Sequence, residues 1–277
     1  MIEIGISPIV FTIGSVEIRW YGIMVALAIL VIILWMVWQI KRGANLTYEN
    51  IITAALVGVP SGVIIARLLH VIDNIVIAKF HPELVMTGSV IDYIQHPGWI
   101  IGGAGLTAYG AILGAALGVW AYSKFSSIKF GYIADVLAPA VVIAQAVIGR
   151  IGCTINGCCY GVEAPTWLPW SVVYTNPNSF APLGVALHPT QPYEVIYGLI
   201  VFGVLLKLRG HLKPDGSLFL VYLSLYAIWR LGIDFIRVGM PFLLDLHQAQ
   251  VVSLIVLAVA IPMLAYRARW VKTGSDE

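Results

Sequence analysis

Arginines set into apolar stretches are the residues of this sequence best suited to chemistry. Arg67, Arg150 and Arg230 each interrupt a run of mostly apolar residues. A charged side chain at the middle of a spanning helix costs about 2.5 to 3.5 kcal/mol on insertion scales, so such residues are candidates for function. A guanidinium group donates two parallel hydrogen bonds and stays charged when desolvated, which favours phosphate as its partner. The pattern therefore predicts a site for an anionic lipid head group, led by Arg150.

Each of these arginines also has a structural interpretation. A long cationic side chain can extend to the membrane interface, or it can pair with a nearby carboxylate. Arg230 has Asp234 one helical turn later, at the spacing that allows such a pair. Arg150 instead adjoins an unusual glycine-rich segment, which favours the functional interpretation for that residue.

The glycine-rich segment is GRIGCTINGCCYG, at residues 149–161. Its four glycines let a backbone approach a ligand closely, and Asn156 offers both a donor and an acceptor. A tight re-entrant turn is the alternative. Three cysteines, Cys153, Cys158 and Cys159, are compatible with small buried residues, with a disulfide from Cys153 to either of the others, or with an acyl-accepting nucleophile. Their spacing is not that of a zinc motif, so we expect no metal site and no cofactor.

Two more polar features lie close to predicted helix ends. The segment HPTQPYE, at residues 188–194, is either an ordinary loop-to-helix junction or a polar cluster beside the arginines. Tyr109 lies about ten residues, roughly 15 Å, into an apolar segment, where its hydroxyl needs a partner. In the same segment Gly110, Gly114 and Gly118 recur every four residues, which predicts a close helix-packing face.

The elements that must position these residues are membrane helices. Hydrophobic residues make up 60% of the chain and charged residues only 11%, against about 25% charged in a soluble domain. A net charge of +2 is too small to indicate nucleic-acid binding. The N-terminus has no basic region followed by an apolar core, so we expect no cleaved signal peptide. Seven apolar segments are long enough, or nearly so, to span a bilayer: residues 21–40, 51–71, 99–122, 132–151, 193–206, 218–236 and 249–266.

We therefore predict an all-α integral membrane protein of about seven transmembrane helices, forming one membrane domain over residues 1–277. With the C-terminus in the cytoplasm, ten of the sixteen basic residues lie in inner loops, as the positive-inside rule favours. The N-terminus is then outside, and the five remaining arginines fall in the outer half of the membrane. Two long outer loops are predicted at residues 72–98 and 152–192. We expect the second to form a small extracytoplasmic cap between helices four and five.

Four motifs occur in order along these segments: IRWYG, GRIGCTINGCCYG, HPTQPYE and RLGIDFIR, which begin at residues 18, 149, 188 and 230. With this order and spacing, the chain resembles the prolipoprotein diacylglyceryl transferase family from about residue 7 to residue 267. Gln250 also resembles a glutamine position of that family. The resemblance implies transfer of a diacylglyceryl group from phosphatidylglycerol to the lipobox cysteine thiol in the signal peptide of prolipoproteins. It also implies a bacterial cytoplasmic (inner) membrane enzyme with its active site toward the outer face.

The resemblance also implies roles for particular residues. Arg150 matches the family's essential arginine and Arg230 its second arginine, whereas Tyr109 stands where better-studied members have a histidine. The positions of Cys153 and Cys158 often hold asparagine and glutamate in the family. The resulting catalytic candidates are Arg150, Arg230, Tyr109 and His188. The candidate phosphatidylglycerol-binding residues are Arg150, Tyr21, Asn156, Gly161, Glu194 and Arg230.

The identity of the catalytic base stays open at this point. Tyrosine, with an ordinary pKa near 10, is a poor base at neutral pH. His188 and Glu194 are alternatives, and a cationic field that favours a substrate thiolate is another. Two other functions are compatible with the arginines and glycines: a transporter of anions or lipids, and a related lipid-binding protein without transferase activity.

Overall fold

The computed structural model describes residues 1–14, 16–80, 90–96, 108–239, 241–243 and 246–271. Over these residues the chain is mainly helical, as expected for the predicted class. Among the described residues, five helices are long and apolar enough to cross a membrane. They are Trp20–Lys41, Tyr48–Val76, Phe130–Asn156, Thr190–Leu208 and Gln248–Arg267, and a shorter apolar helix covers Ser217–Ile233.

The chain folds into two compact units. The first comprises residues 1–39 and 131–277, and the second comprises residues 40–130. The predicted catalytic and lipid-binding residues belong to the first unit, except Tyr109, which lies in the second unit with Arg67. The expectation of one membrane domain stays a prediction.

In the second unit, helix α2 (Tyr48–Phe80) packs against helix α4 (Ala108–Phe125), and a short helix α3 covers Val90–Gln95. A Cβ atom on Gly118 would lie 2.6 Å from the Ser61 hydroxyl oxygen, and one on Gly114 would overlap the Ser61 carbonyl. Only glycine allows this approach, because the two helix backbones are nearly in contact. The predicted glycine packing face is thereby confirmed at these two positions.

The first unit contains helix α1 (Trp20–Lys41) and a long helix that changes its winding. That helix begins as α5 (Phe130–Val142), widens to a π-helix over Ile143–Ile148 and ends as α6 (Gly149–Asn156). Helices α7 (Thr190–Leu208), α8 (Ser217–Ile233) and α9 (Gln248–Arg267) follow. Because π-helical turns are rare and often lie at functional sites, the turn directly before Arg150 is notable.

The core of the first unit lies between the long helix, α7 and α8. Ala146 of the π-helical turn approaches Gly198 of α7 so closely that a Cβ atom on the glycine would overlap it. Asp135 of α5 accepts hydrogen bonds from the backbone N–H groups of Gly216 and Phe219, each at 2.8 Å, and so caps the start of α8. The surrounding cluster of buried residues consists of Ala138, Val142, Ala146, Val201, Leu205, Leu218 and Tyr222.

Short strands are present, which the all-α prediction did not include. Strand β1 (Ile2–Ile4) pairs in parallel with β4 (Val172–Tyr174), which pairs antiparallel with β5 (Ala186–Leu187). This sheet encloses a small core of Val172, Tyr174, Ala181 and Leu187. The remaining strands form two-stranded sheets: β2 (Ile9–Ile13) with β3 (Val16–Arg19), β6 (Leu212–Lys213) with β9 (Arg269–Trp270), and β7 (Pro241–Leu243) with β8 (Leu246–His247).

Some predicted boundaries differ from the structure. Helix α2 continues to Phe80 through part of the predicted loop 72–98, because polar residues end an apolar pattern without ending a helix, and Asn74 pairs with His70 one turn earlier at 3.3 Å. Helix α7 begins at Thr190, three residues before the predicted segment 193–206. Pro192 is compatible with this start, because the N–H groups in the first turn of a helix have no carbonyl partner within the helix. The predicted segment 99–122 lies partly outside the described residues.

Candidate active site

An ion pair between Arg150 and Glu194 joins two of the predicted site motifs. Arg150 Nη2 lies 2.8 Å from Glu194 Oε1, and the side chains are 12% and 3% exposed. Arg150 stands at the start of α6 and Glu194 in the first turn of α7. Arg150 therefore has a carboxylate partner, which is one of the structural interpretations considered for these arginines.

The guanidinium group of Arg150 is not saturated by this pair. Its Nη1 atom donates to the Cys153 sulfur at 3.7 Å, a long contact. Its Nε atom is buried and has no hydrogen-bond partner among the described residues. A buried N–H without an acceptor is costly, so a phosphate oxygen from a ligand would be a favourable partner.

Helix α6 ends at a glycine because of the backbone turn that follows. Gly157 has φ 70°, a left-handed conformation that caps the helix, and its N–H reaches the Cys153 and Thr154 carbonyls. A Cβ atom there would also overlap the Ser179 hydroxyl. The Tyr174 hydroxyl donates to the Thr154 carbonyl at 3.0 Å, which ties the last turn of α6 to strand β4.

Backbone hydrogen bonds bring three of the sequence motifs together at Gly161. Gly161 N–H donates to the His188 carbonyl at 3.0 Å, and Val162 N–H donates to the Ile236 carbonyl at 2.9 Å. A Cβ atom on Gly161 would lie 2.6 Å from His188 Cβ and 2.7 Å from the Ile236 oxygen. Glycine is thus required here because two other segments of the chain, at His188 and Ile236, approach its backbone closely. The Nδ1 atom of His188 is buried and has no hydrogen-bond partner among the described residues.

The HPTQPYE motif also holds the two-cysteine turn, a role that sequence reasoning missed. The Thr190 hydroxyl donates to the Cys159 carbonyl at 2.6 Å, and Gln191 Nε2 donates to the Cys158 carbonyl at 2.8 Å. Both side chains are fully buried. The only signal for this role was the occurrence of two adjacent uncharged polar residues, Thr190 and Gln191, just before an apolar segment.

The three cysteines are free thiols, so the disulfide considered for Cys153 as one alternative is not formed. Their sulfur atoms nevertheless all lie within 4.8 Å of one another. Hydrogen bonds from the other two thiols, with Arg237 and Arg150 nearby, hold the pKa of Cys159 below its ordinary value. The pKa of Cys158 is raised to about 11, because the hydrogen bond with Cys153 lowers it less than the contact with Cys159 and burial raise it.

Arg230 forms the pair with Asp234 that its spacing allows. Arg230 Nη2 lies 2.9 Å from Asp234 Oδ1 and 3.1 Å from Oδ2, and both residues are buried. The structural interpretation of Arg230 is thus supported by its contacts, and its proposed contact with phosphate stays a prediction.

Tyr21 belongs to α1 and Asn156 to α6, and these two helices contact each other. A Cβ atom on Gly152 would lie 3.3 Å from the Tyr21 Cα, so the two helices touch at this residue. The Tyr21 side chain is 43% exposed. Asn156 is buried, and its Oδ1 accepts a hydrogen bond from Arg19 Nη1 at 3.4 Å. Tyr21 is therefore open to a ligand, whereas Asn156 is engaged within the protein.

Two remaining candidates are placed less directly. Tyr109 is the second residue of α4 in the second unit, and its side chain lies outside the described residues. Gln250 is buried in the first turn of α9, where its Oε1 accepts from the His247 N–H at 2.9 Å. Gln250 therefore completes a helix cap, and the assignment of Tyr109 as a catalytic residue stays a prediction.

Comparison with known proteins agrees with the motif order. A family model described as "Prolipoprotein diacylglyceryl transferase" matches residues 8–266. A protein of Dehalococcoides mccartyi named "Phosphatidylglycerol--prolipoprotein diacylglyceryl transferase" is 47% identical over 269 residues, which cover 97% of this chain and 96% of that protein. Proteins of the same name from Clostridium tetani and Acaryochloris marina are each 33% identical, over 92% of this chain and 95% and 88% of their own lengths.

Proposed function

Because this chain belongs to the prolipoprotein diacylglyceryl transferase family, we propose that it transfers the diacylglyceryl group of phosphatidylglycerol to the lipobox cysteine thiol of prolipoproteins. The observation that carries the assignment to this site is Arg150. It is held by Glu194 in a nearly buried ion pair, and its Nε–H has no partner among the described residues. An arginine in that state is suited to bind a phosphate group as it leaves.

The reaction forms a thioether and releases glycerol phosphate. The thiol sulfur attacks the glycerol carbon next to the phosphate, a carbon–sulfur bond forms, and the carbon–oxygen bond to phosphate breaks. The phosphate leaves with the electron pair, so negative charge grows on its oxygens. Arg150 stabilises that charge more in the transition state than in the bound lipid, which is the condition for catalysis. Arg230 is the second candidate for the same charge.

The thiol proton needs an acceptor. His188 is a suitable residue because its Nδ1 atom is buried with no partner among the described residues, and because its backbone joins the turn at Gly161. Glu194 is already engaged in an ion pair with Arg150, so we rank it below His188 as the acceptor. Tyr109 is kept as a catalytic candidate only because it stands where better-studied members of the family have a histidine.

The enzyme is placed in the bacterial cytoplasmic membrane with about seven spans, the N-terminus outside and the active site toward the outer face. The five long apolar helices and the shorter one, Ser217–Ile233, support six of these spans, and α4 is the candidate for the seventh. Residues 152–192 form the extracytoplasmic cap of a single membrane domain over residues 1–277. The folding of β4 and β5 around a core of their own supports a cap of this kind. The partners are phosphatidylglycerol, the lipobox signal peptide and the bilayer.

A transfer assay tests the proposal. Purified enzyme in detergent receives phosphatidylglycerol labelled in its acyl chains and a peptide with a lipobox cysteine. We expect label to move to the peptide as a thioether, and glycerol phosphate to appear in equal amount. A peptide with serine in place of the cysteine should receive none. Absence of a thioether product from folded enzyme would refute the function.

The role of Arg150 is tested against a matched arginine. We expect Arg150→Ala to lower transfer by a factor of about 10² to 10³. Arg209→Ala removes an arginine at the other end of α7, where its guanidinium hydrogen-bonds Gln39, and this variant should retain transfer. Equal loss in both variants would show that the assay reports general damage to the helices.

A further inference from the structure

Three thiols meet at one point of the first unit. The chain contains three cysteines in all, and their sulfur atoms lie within 4.8 Å of one another. Cys153 is buried in the last turn of α6, while Cys158 and Cys159 occupy the turn that follows. The sequence spacing gave no indication of a metal site. Cys153 comes close to Cys158 and Cys159 only because the chain reverses direction at Gly157.

The cluster is held in place by its surroundings. Cys158 N–H donates to the Cys153 carbonyl at 3.1 Å, which closes the turn. The Cys158 and Cys159 carbonyls are fixed by the buried side chains of Gln191 and Thr190. Cys159 has φ 64°, a left-handed conformation that is uncommon for a residue with a side chain and that persists only where the surroundings impose it. The fold therefore orients this sulfur at the expense of backbone strain.

We propose that Cys153, Cys158 and Cys159 bind a single thiophilic metal ion of the Zn²⁺ class. A zinc–sulfur bond of about 2.3 Å puts tetrahedral sulfur ligands about 3.8 Å apart. The sulfur–sulfur separations here, up to 4.8 Å, are close to that value. Small side-chain rotations would bring all three sulfurs to zinc–sulfur bonding distance of one ion. The fourth position belongs to water, as in zinc sites with three protein ligands.

The charges at the site fit this ion. Three thiolates around a dication carry a net charge of −1, and Arg150 Nη1 lies 3.7 Å from the Cys153 sulfur. Hard cations such as Mg²⁺ and Ca²⁺ prefer oxygen ligands and are excluded as occupants by a set of three sulfurs. The ion would join the end of α6 to the turn that precedes Gly161. The inference is independent of the proposed transfer reaction, and neither depends on the other.

Cadmium binding tests the site. Purified, reduced and tag-free protein in detergent is titrated with Cd²⁺, and the ultraviolet thiolate-to-cadmium absorption is recorded. We expect saturation at one ion per chain with the intensity of three thiolates. Since the chain has no other cysteine, this absorption cannot come from elsewhere. Each of Cys153→Ser, Cys158→Ser and Cys159→Ser should lose about a third of the intensity and weaken binding at least tenfold.

Wild-type protein supplies a readout that does not depend on variant folding. Zn²⁺ at one equivalent should protect all three thiols from a thiol reagent and should raise the melting temperature, because a ligand that binds only the folded state stabilises it. Reduced protein with three titratable thiols but without a saturable cadmium absorption would overturn the proposal. So would unchanged cadmium affinity in folded serine variants, or zinc that leaves thiol reactivity unaltered.

Discussion

Replacing Arg150 by glutamine, alone and together with Glu194→Gln, separates the structural role of the ion pair from its role in transfer. Glu194 is 3% exposed, so the single variant leaves a buried carboxylate without its cation. Removal of one partner of a buried pair costs about 3 to 5 kcal/mol, and the partial exposure of Arg150 favours the lower end. In the double variant two neutral amides can hydrogen-bond each other. We expect it to recover most of the lost free energy of unfolding.

The same two variants are expected to behave alike in catalysis. Each lacks the guanidinium donor to the leaving phosphate, and removal of one such donor lowers kcat by a factor of about 10² to 10³. Denaturant titration in micelles, followed by tryptophan fluorescence, measures the free energy of unfolding, and thioether formation measures kcat. Recovery of activity together with stability in the double variant would refute a direct role for Arg150. A double variant as unstable as the single one would refute the ion-pair argument.

Three further predictions follow from single contacts. Gly161→Ala should lower the free energy of unfolding by about 1 to 3 kcal/mol, since its Cβ would lie 2.6 Å from His188 Cβ. Gly203→Ala is the control, because a Cβ atom there would meet nothing within 4 Å. Equal losses of stability in the two variants would contradict the role of close packing at Gly161. Asp135→Ala should cost about 1 to 2 kcal/mol through loss of the cap on α8, measured by the same denaturant titration, and an unchanged midpoint would rule out that cap. The thiolate fraction falls as pH falls through the pKa, so Cys159, whose pKa is lowered, should be alkylated faster than Cys158 at pH 8 and should keep more of its rate at pH 6. Cys158, with a pKa of about 11, should react slowly at both, as mass mapping of the alkylated peptides would show, and the opposite order would refute these assignments.

The family and the class of fold could be predicted from the sequence alone. Long apolar runs require a membrane, because each spanning helix must be apolar along its whole length, and this constraint is local. The order of four short motifs indicated the family, which the comparisons confirm. The glycine face of α4 was also predictable, since helical spacing puts residues four apart on one side.

The partners of the site residues were decided only by tertiary structure. Arg150 and Glu194 are 44 positions apart, and no local pattern states that the first turn of α7 lies beside the start of α6. Asp234, by contrast, was predictable as the partner of Arg230 because the pair lies within one helical turn. The strands and the extension of α2 beyond its apolar pattern were missed because backbone hydrogen bonding, rather than hydrophobicity, sets those boundaries.

The arginines themselves illustrate the division between the two levels. Their residue type and their apolar surroundings determined that an anion is the favoured ligand, because desolvation makes an unneeded guanidinium expensive. Which guanidinium atoms are left for that ligand depended on the packing of α6 against α7, which gives Nη2 to Glu194 and leaves Nε without a described partner. The meeting of three thiols beside them was likewise decided by the chain reversal at Gly157, since distances between side chains are a property of the folded backbone.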